Sequence, residues 1–218
     1  MTDPFTSILF DLDGTIVDSA PGITKTLAWT FAEMGRPIPS NEELRAWVGP
    51  PILDSFRDRA GMSLGEAAAA LAIYRPRYLE FGALDSSVFP GVADVLHAIH
   101  DAGIPLSLAT SKPETPATFM LSHFGLLDCF DIITGASDDE VRSAKADVVA
   151  EALVRLAAFG ADLTRPVLVG DREHDVEGAA ANDVPTIFVG WGYGSESERV
   201  GSIAVAETPA DLLPLLLG

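Results

Sequence analysis

Ser7-Ile8-Leu9-Phe10-Asp11-Leu12-Asp13-Gly14-Thr15 decides the reading of this chain. Four apolar or small residues run straight into two carboxylates, a glycine and a hydroxyl, the pattern of a short buried strand that ends in a polar turn. Side chains two apart on an extended backbone lie on the same side, so Asp11 and Asp13 can address one site. A calcium loop would also begin Asp-x-Asp, but it needs glycine at position 16 and glutamate at position 22, where Ile16 and Gly22 stand.

Working outward, further apolar runs predict strands at Ile104 to Ala109, Ile132 to Ile133, Val167 to Val169 and Thr186 to Val189. Helical spacing fills the intervals, as in Val92, Val95, Leu96, Ile99 and in Val148, Val149, Leu153, Leu156. Strands alternating with helices predict an α/β fold, a Rossmann-like doubly wound parallel sheet, with ligands at the carboxyl ends of its strands. The stretch 16–89 interrupts this alternation with helical patterns only, punctuated by Pro37, Pro39, Pro50, Pro51 and Gly61. It is expected to be an inserted all-helical domain, leaving 1–15 and 90–218 as the sheet domain. Ser40-Asn41-Glu42-Glu43 has the form of a capping box at one of its helix starts.

Composition narrows the function. With 218 residues, 48% of them hydrophobic, the chain can bury a sizeable core. Fourteen basic residues against 32 acidic give a net charge of −18, which would repel a nucleic-acid polymer. The single cysteine, Cys129, excludes an internal disulfide, and Gly135 stands where a cysteine-phosphatase loop would need arginine. Leu212 to Leu217 is too short to span a bilayer and is broken by Pro214, so no membrane association is expected and a cytoplasmic location is. Nothing in the sequence assigns an oligomeric state.

Chemistry-bearing residues recur at the other predicted strand ends. Thr110-Ser111-Lys112-Pro113 follows one strand, Gly170-Asp171-Arg172-Glu173-His174-Asp175 follows another, and Lys145 opens a helix between them. In that order these motifs resemble the haloacid dehalogenase superfamily of phosphohydrolases, over nearly the whole chain. The helical insertion resembles that family's cap. Gly49-Pro50-Pro51-Ile52, Val141 to Asp147 and Gly190-Trp191-Gly192-Tyr193-Gly194-Ser195 are similar to its phosphoglycolate phosphatase and 5′-nucleotidase branches.

The resemblance implies a phosphomonoester hydrolase in which Asp11 is the nucleophile, forming an aspartyl-phosphate, and Asp13 the acid and base. Leu12, Asp13, Thr110, Ser111 and Lys145 would hold the phosphoryl group. Lys145 is preferred over Lys112, which reads as a rim cation or a solvated charge. Four clustered carboxylates also call for a cation, since one like-charge pair at ~4 Å costs roughly 4 kcal/mol at a surface-like dielectric. Mg²⁺ is the cofactor expected, with Asp11, the carbonyl of Asp13 and Asp171 as ligands and Asp175 holding a metal-bound water.

Other residues receive plainer expectations. His97 and His100 face solvent, His174 orients a neighbour by a hydrogen bond, and Arg172 and Glu173 pair with each other or with neighbours. The glycine turn at Trp191 lacks the strand–turn–helix setting of a dinucleotide site. Substrate choice is expected in the cap, at Gly49, Pro50, Pro51 and Arg45, with Arg75 and Arg77 as further bases and Trp29, Trp47 or Tyr78 as aromatic candidates. The expected substrate is a small phosphorylated metabolite, phosphoglycolate or a nucleoside monophosphate. Pyrophosphatase or sugar-phosphate mutase chemistry on the same scaffold, or a non-catalytic phosphate-binding regulator, are the alternatives.

Overall fold

The structure, a computed structural model, describes residues 4–139 and 141–218. Its chain divides into two compact units, one of Asp18–Ser87 and one formed by the segments on either side of it. The division falls two residues inside the expected boundaries at each crossing.

The larger unit is built on six parallel strands in the order β5 (Ile132–Ala136), β4 (Leu106–Pro113), β1 (Ser7–Phe10), β6 (Pro166–Gly170), β7 (Thr186–Val189) and β8 (Ala204–Ala206). The α/β sheet class predicted from the alternation is the one observed. Central parallel strands are covered on both faces, which is why they read as unbroken apolar runs; all four residues of β1 are buried. Leu9 and Leu168, side by side in the register, share a core with Ala109 and with Val148, Val149, Ala152 and Leu156 of helix α7 (Lys145–Phe159). That helix stops at Gly160, whose φ of 93° is the left-handed conformation glycine supplies at a helix end.

After β1 the chain builds outward on one side through β4 and β5, then returns to place β6 on the other side. The strand order therefore reverses at β1, and the crevice at such a reversal is where open α/β sheets bind ligands. Asp11, Thr110 and Asp171 all sit at the carboxyl ends of the three strands that meet there.

The smaller unit holds α1 (Ala20–Glu33), α2 (Asn41–Arg45), α3 (Ile52–Asp58) and α4 (Leu64–Arg77), the last continued by a π-helical turn at Tyr78–Gly82. Capping boxes start two of them: Ser40 with Glu43, as expected, and Ser63 with Glu66. Their core is aromatic. Phe56 lies 5.3 Å from Trp47, 6.1 Å from Phe31 and 6.4 Å from Tyr74, ring centre to ring centre. Two short strands, β2 (Val17–Asp18) and β3 (Ser87–Val88), pair where the chain passes from one unit to the other. No helix among the described residues is long and apolar enough to cross a membrane.

Candidate active site

The turn after β1 is tight because Leu12 carbonyl accepts the amides of Thr15, Ile16 and Val17. Gly14 occupies it with φ +88°, and a Cβ there would run into the Asp171 carboxylate, so both conformation and space require glycine. Asp11 and Asp13 emerge from this turn buried, at 2% and 5% exposure.

Each of these carboxylates meets its own lysine. Lys145 Nζ lies 2.7 Å from Asp11 Oδ1 and 2.7 Å from Asp175 Oδ1, and it donates to Ala109 carbonyl at 2.9 Å. Lys112 Nζ lies 3.0 Å from Asp13 Oδ2, both side chains nearly enclosed, while Asp13 Oδ1 is buried with no hydrogen-bond partner. Lys112 is thus neither a rim cation nor a solvated charge, and the sequence reading missed its pairing. A two-residue irregularity explains it. Between the pairs Thr110–Gly135 and Pro113–Ala136, β4 carries two more residues than β5, and Ser111 and Lys112 are those residues. Gly135 permits the bulge, since a Cβ there would collide with Lys112 carbonyl.

Asp171 and Asp175 complete the group. Asp171 Oδ2 accepts the amide of Tyr193 at 2.7 Å and Oδ1 accepts the Thr15 hydroxyl at 3.2 Å. Asp175 Oδ2 accepts the amides of Asp171 and Arg172, each at 3.0 Å, which folds the loop between β6 and helix α8 (Glu173–Ala180) around it. One carboxylate oxygen from each of Asp11, Asp171 and Asp175 lies within 4.8 Å of the others. Fully ionised, Asp11, Asp13, Asp171 and Asp175 exceed Lys112 and Lys145 by two negative charges, and an all-oxygen donor set of that charge fits a hard divalent cation.

Burial and charge set the electrostatics. Burial, reinforced by Asp175 and Asp13 and opposed by Lys145, raises Asp11 to about 6. Burial, with Asp175 and Asp11 beside it, holds Asp171 well above the ordinary carboxylate range. For Asp175 burial acts upward, but Lys145 and His174 outweigh it and the net shift is downward. Burial acts to lower Lys145, yet the attraction of Asp11 and Asp175 prevails and keeps it cationic.

The remaining expected residues fall as follows. Thr110 and Ser111 are buried at the end of β4, the Thr110 hydroxyl accepting the amide of Lys112. His97 and His100 are exposed, as expected. His174 Nε2 is enclosed without a partner, so the orienting hydrogen bond expected of it is not made there. Arg172 pairs with Glu198 at 2.8 Å, a neighbour in space and not in sequence. Gly49, Pro50, Pro51 and Arg45 belong to the helical unit. Within it Trp47 and Tyr78 are consumed by the internal core, and the Arg77 guanidinium lies over Phe81 at 3.8 Å and Trp29 at 5.0 Å.

The structure thus presents, at the strand reversal of a parallel α/β sheet, a cluster of aspartates and lysines. The family model described as haloacid dehalogenase-like hydrolase matches residues 8–189, and the chain belongs to that family. It is 43% identical over 188 residues to the tyrosine-protein kinase PtkA of Mycobacterium tuberculosis, covering 86% of this chain and 62% of that one. The chain thus spans about three-fifths of that relative's length. It is 35% identical to a 5′-nucleotidase of Pseudomonas aeruginosa, with 89% of this chain and 86% of that one covered. A crystal structure of a predicted phosphatase from Clostridium acetobutylicum superposes with a TM-score of 0.91 at 32% identity, covering 99% of both chains.

Proposed function

We propose that this chain is a Mg²⁺-dependent phosphomonoester hydrolase that works through an aspartyl-phosphate on Asp11, acting on a small soluble ester such as phosphoglycolate or a nucleoside monophosphate. The observation that carries the reading is the asymmetric pairing of the two aspartates of one turn, Asp11 with Lys145 and Asp13 with Lys112. In the first step Asp11 attacks phosphorus, the bond from phosphorus to the ester oxygen breaks, and Asp13 gives that oxygen a proton. In the second, water attacks the aspartyl-phosphate, Asp13 takes its proton, and inorganic phosphate leaves with Asp11 restored. Thr110, the amide of Ser111 and Lys145 hold the phosphoryl oxygens where charge builds. Asp11, the Asp13 carbonyl and Asp171 would hold the cation, with Asp175 bracing it; when bound, Mg²⁺ neutralises the phosphate's charge. The residues 16–89, with Gly49, Pro50, Pro51 and Arg45, form the cap that selects the ester.

Phosphate release from a panel of phosphoglycolate, nucleoside monophosphates, hexose phosphates and pyrophosphate, with Mg²⁺ and with chelator, tests this. Chelator and Asp11→Asn should each lower turnover by at least about 10³-fold. Retained turnover in Asp11→Asn would sink the aspartyl-phosphate.

A second reading is favoured by the relative named as a tyrosine kinase. In that reading a tyrosine hydroxyl, not water, takes the phosphoryl group. Label transferred from ATP to a tyrosine-containing polypeptide, in place of free phosphate, would move that reading to the front.

A further inference from the structure

We propose that the glycine turn Trp191-Gly192-Tyr193-Gly194 is a positioning element of the cation site, holding the carboxylate of Asp171 in its ligating orientation. The inference rests on the cation site proposed above. The turn follows β7, which pairs with β6, the strand that leads into Asp171.

Three contacts close a ring around that aspartate. Tyr193 amide donates to Asp171 Oδ2 at 2.7 Å, Thr15 hydroxyl donates to Oδ1 at 3.2 Å, and Trp191 indole N–H donates to Thr15 carbonyl at 3.0 Å. One turn therefore grips the aspartate directly and grips the Asp-Leu-Asp-Gly-Thr segment that helps to hold it.

Space confirms the fit. A Cβ on Gly192 would strike the Asp171 side chain and would stand 2.5 Å from Gly14 carbonyl oxygen; one on Gly194 would strike Asp171 carbonyl and stand 2.7 Å from the Phe188 ring. Neither glycine has a positive φ, so the backbone conformation would accept alanine at both positions. What excludes a side chain is the aspartate. Gly14 and Gly192 both leave room for the carboxylate where a Cβ would meet it, and Gly194 leaves room for the Asp171 carbonyl.

Partners that orient a metal ligand typically contribute 10–100-fold to metal affinity. Titration calorimetry with Mn²⁺ on the full chain tests this. Gly192→Ala should weaken Mn²⁺ binding by about 10–100-fold while the thermal midpoint of the cation-free protein moves by only a few degrees. Trp191→Phe, which deletes one hydrogen bond and keeps an aromatic side chain, should weaken it by about 3–10-fold. Gly65→Ala, in open space on α4, should bind as the wild type does. A folded Gly192→Ala variant with wild-type affinity overturns the inference. Should that variant not fold, an unchanged affinity in Trp191→Phe overturns it equally. Absence of Mn²⁺ binding in the wild type is a separate result, which removes the cation site and this inference with it.

Discussion

The sheet unit and the helical unit bury different chemistry. The first encloses Asp11, Asp13, Lys145, Asp171 and Asp175, whereas the second, among its described residues, encloses no charged side chain. Its buried polar groups are hydroxyls, and those of Thr26 and Thr30 simply return a hydrogen bond to the helix carbonyl four residues back. Enclosing a charge costs several kcal/mol per ion, so charges persist inside a protein where chemistry uses them. The sheet unit accepts that cost at one end of β1; the helical unit is held by interlocked rings.

Replacing Lys145 strikes the difference hardest. Lys145→Met would leave Asp11 and Asp175 buried without their cation, an expected loss of about 3–5 kcal/mol at pH 7.5 in urea unfolding together with loss of turnover. The sign with pH follows from Asp11, already raised to about 6: a folded state that holds an extra proton gains as pH falls, so the deficit should shrink at pH 5. A loss below about 1 kcal/mol would mean that the cluster is screened by water.

Phe56→Ala attacks the other unit. It removes the ring that Phe31, Trp47 and Tyr74 surround, at an expected cost of about 3–4 kcal/mol, read by Trp fluorescence during urea unfolding. Mn²⁺ affinity should stay at the wild-type value; a drop would erase the separation between the units.

The smallest effect belongs to His174, which burial lowers from 6.5 to about 4. Between these values the unfolded chain binds a proton that the folded chain refuses, so stability falls as pH drops through the window, by roughly 3 kcal/mol in full. Thermal midpoints from pH 7.5 to 4.5 should fall less steeply in His174→Gln. Parallel curves for the two proteins would assign the acid loss to other groups.

Local sequence made much of this legible. The apolar run before Asp11 marks β1, and Lys145 opens its helix as expected, because strand cores and helix starts are encoded within a few neighbouring residues. Strand β8 escaped, since its three residues, Ala204–Ala206, are small and only one is buried. Lys112 was misread for a different reason. Its burial depends on a bulge in one strand and a missing Cβ on another, a relation between Ser111, Lys112 and Gly135 that no window of sequence contains. The glycine turn at 191–194 likewise looks like an ordinary turn until Asp171 is seen to fill the absent side-chain space.

The Lys145 ammonium donates to Asp11 Oδ1 and to Ala109 carbonyl, and Asp175 Oδ1 stands 2.7 Å away as a further ion-pair partner. Its oxygen neighbours are in place before any ligand arrives. Under the proposed function, a phosphoryl oxygen that bound this nitrogen would compete with those neighbours. Of the three, the carbonyl is fixed by the sheet and Asp175 by two amides, which leaves the bond to Asp11 as the exchangeable one. Under the proposed function, binding the phosphoryl group and freeing Asp11 would then be a single event.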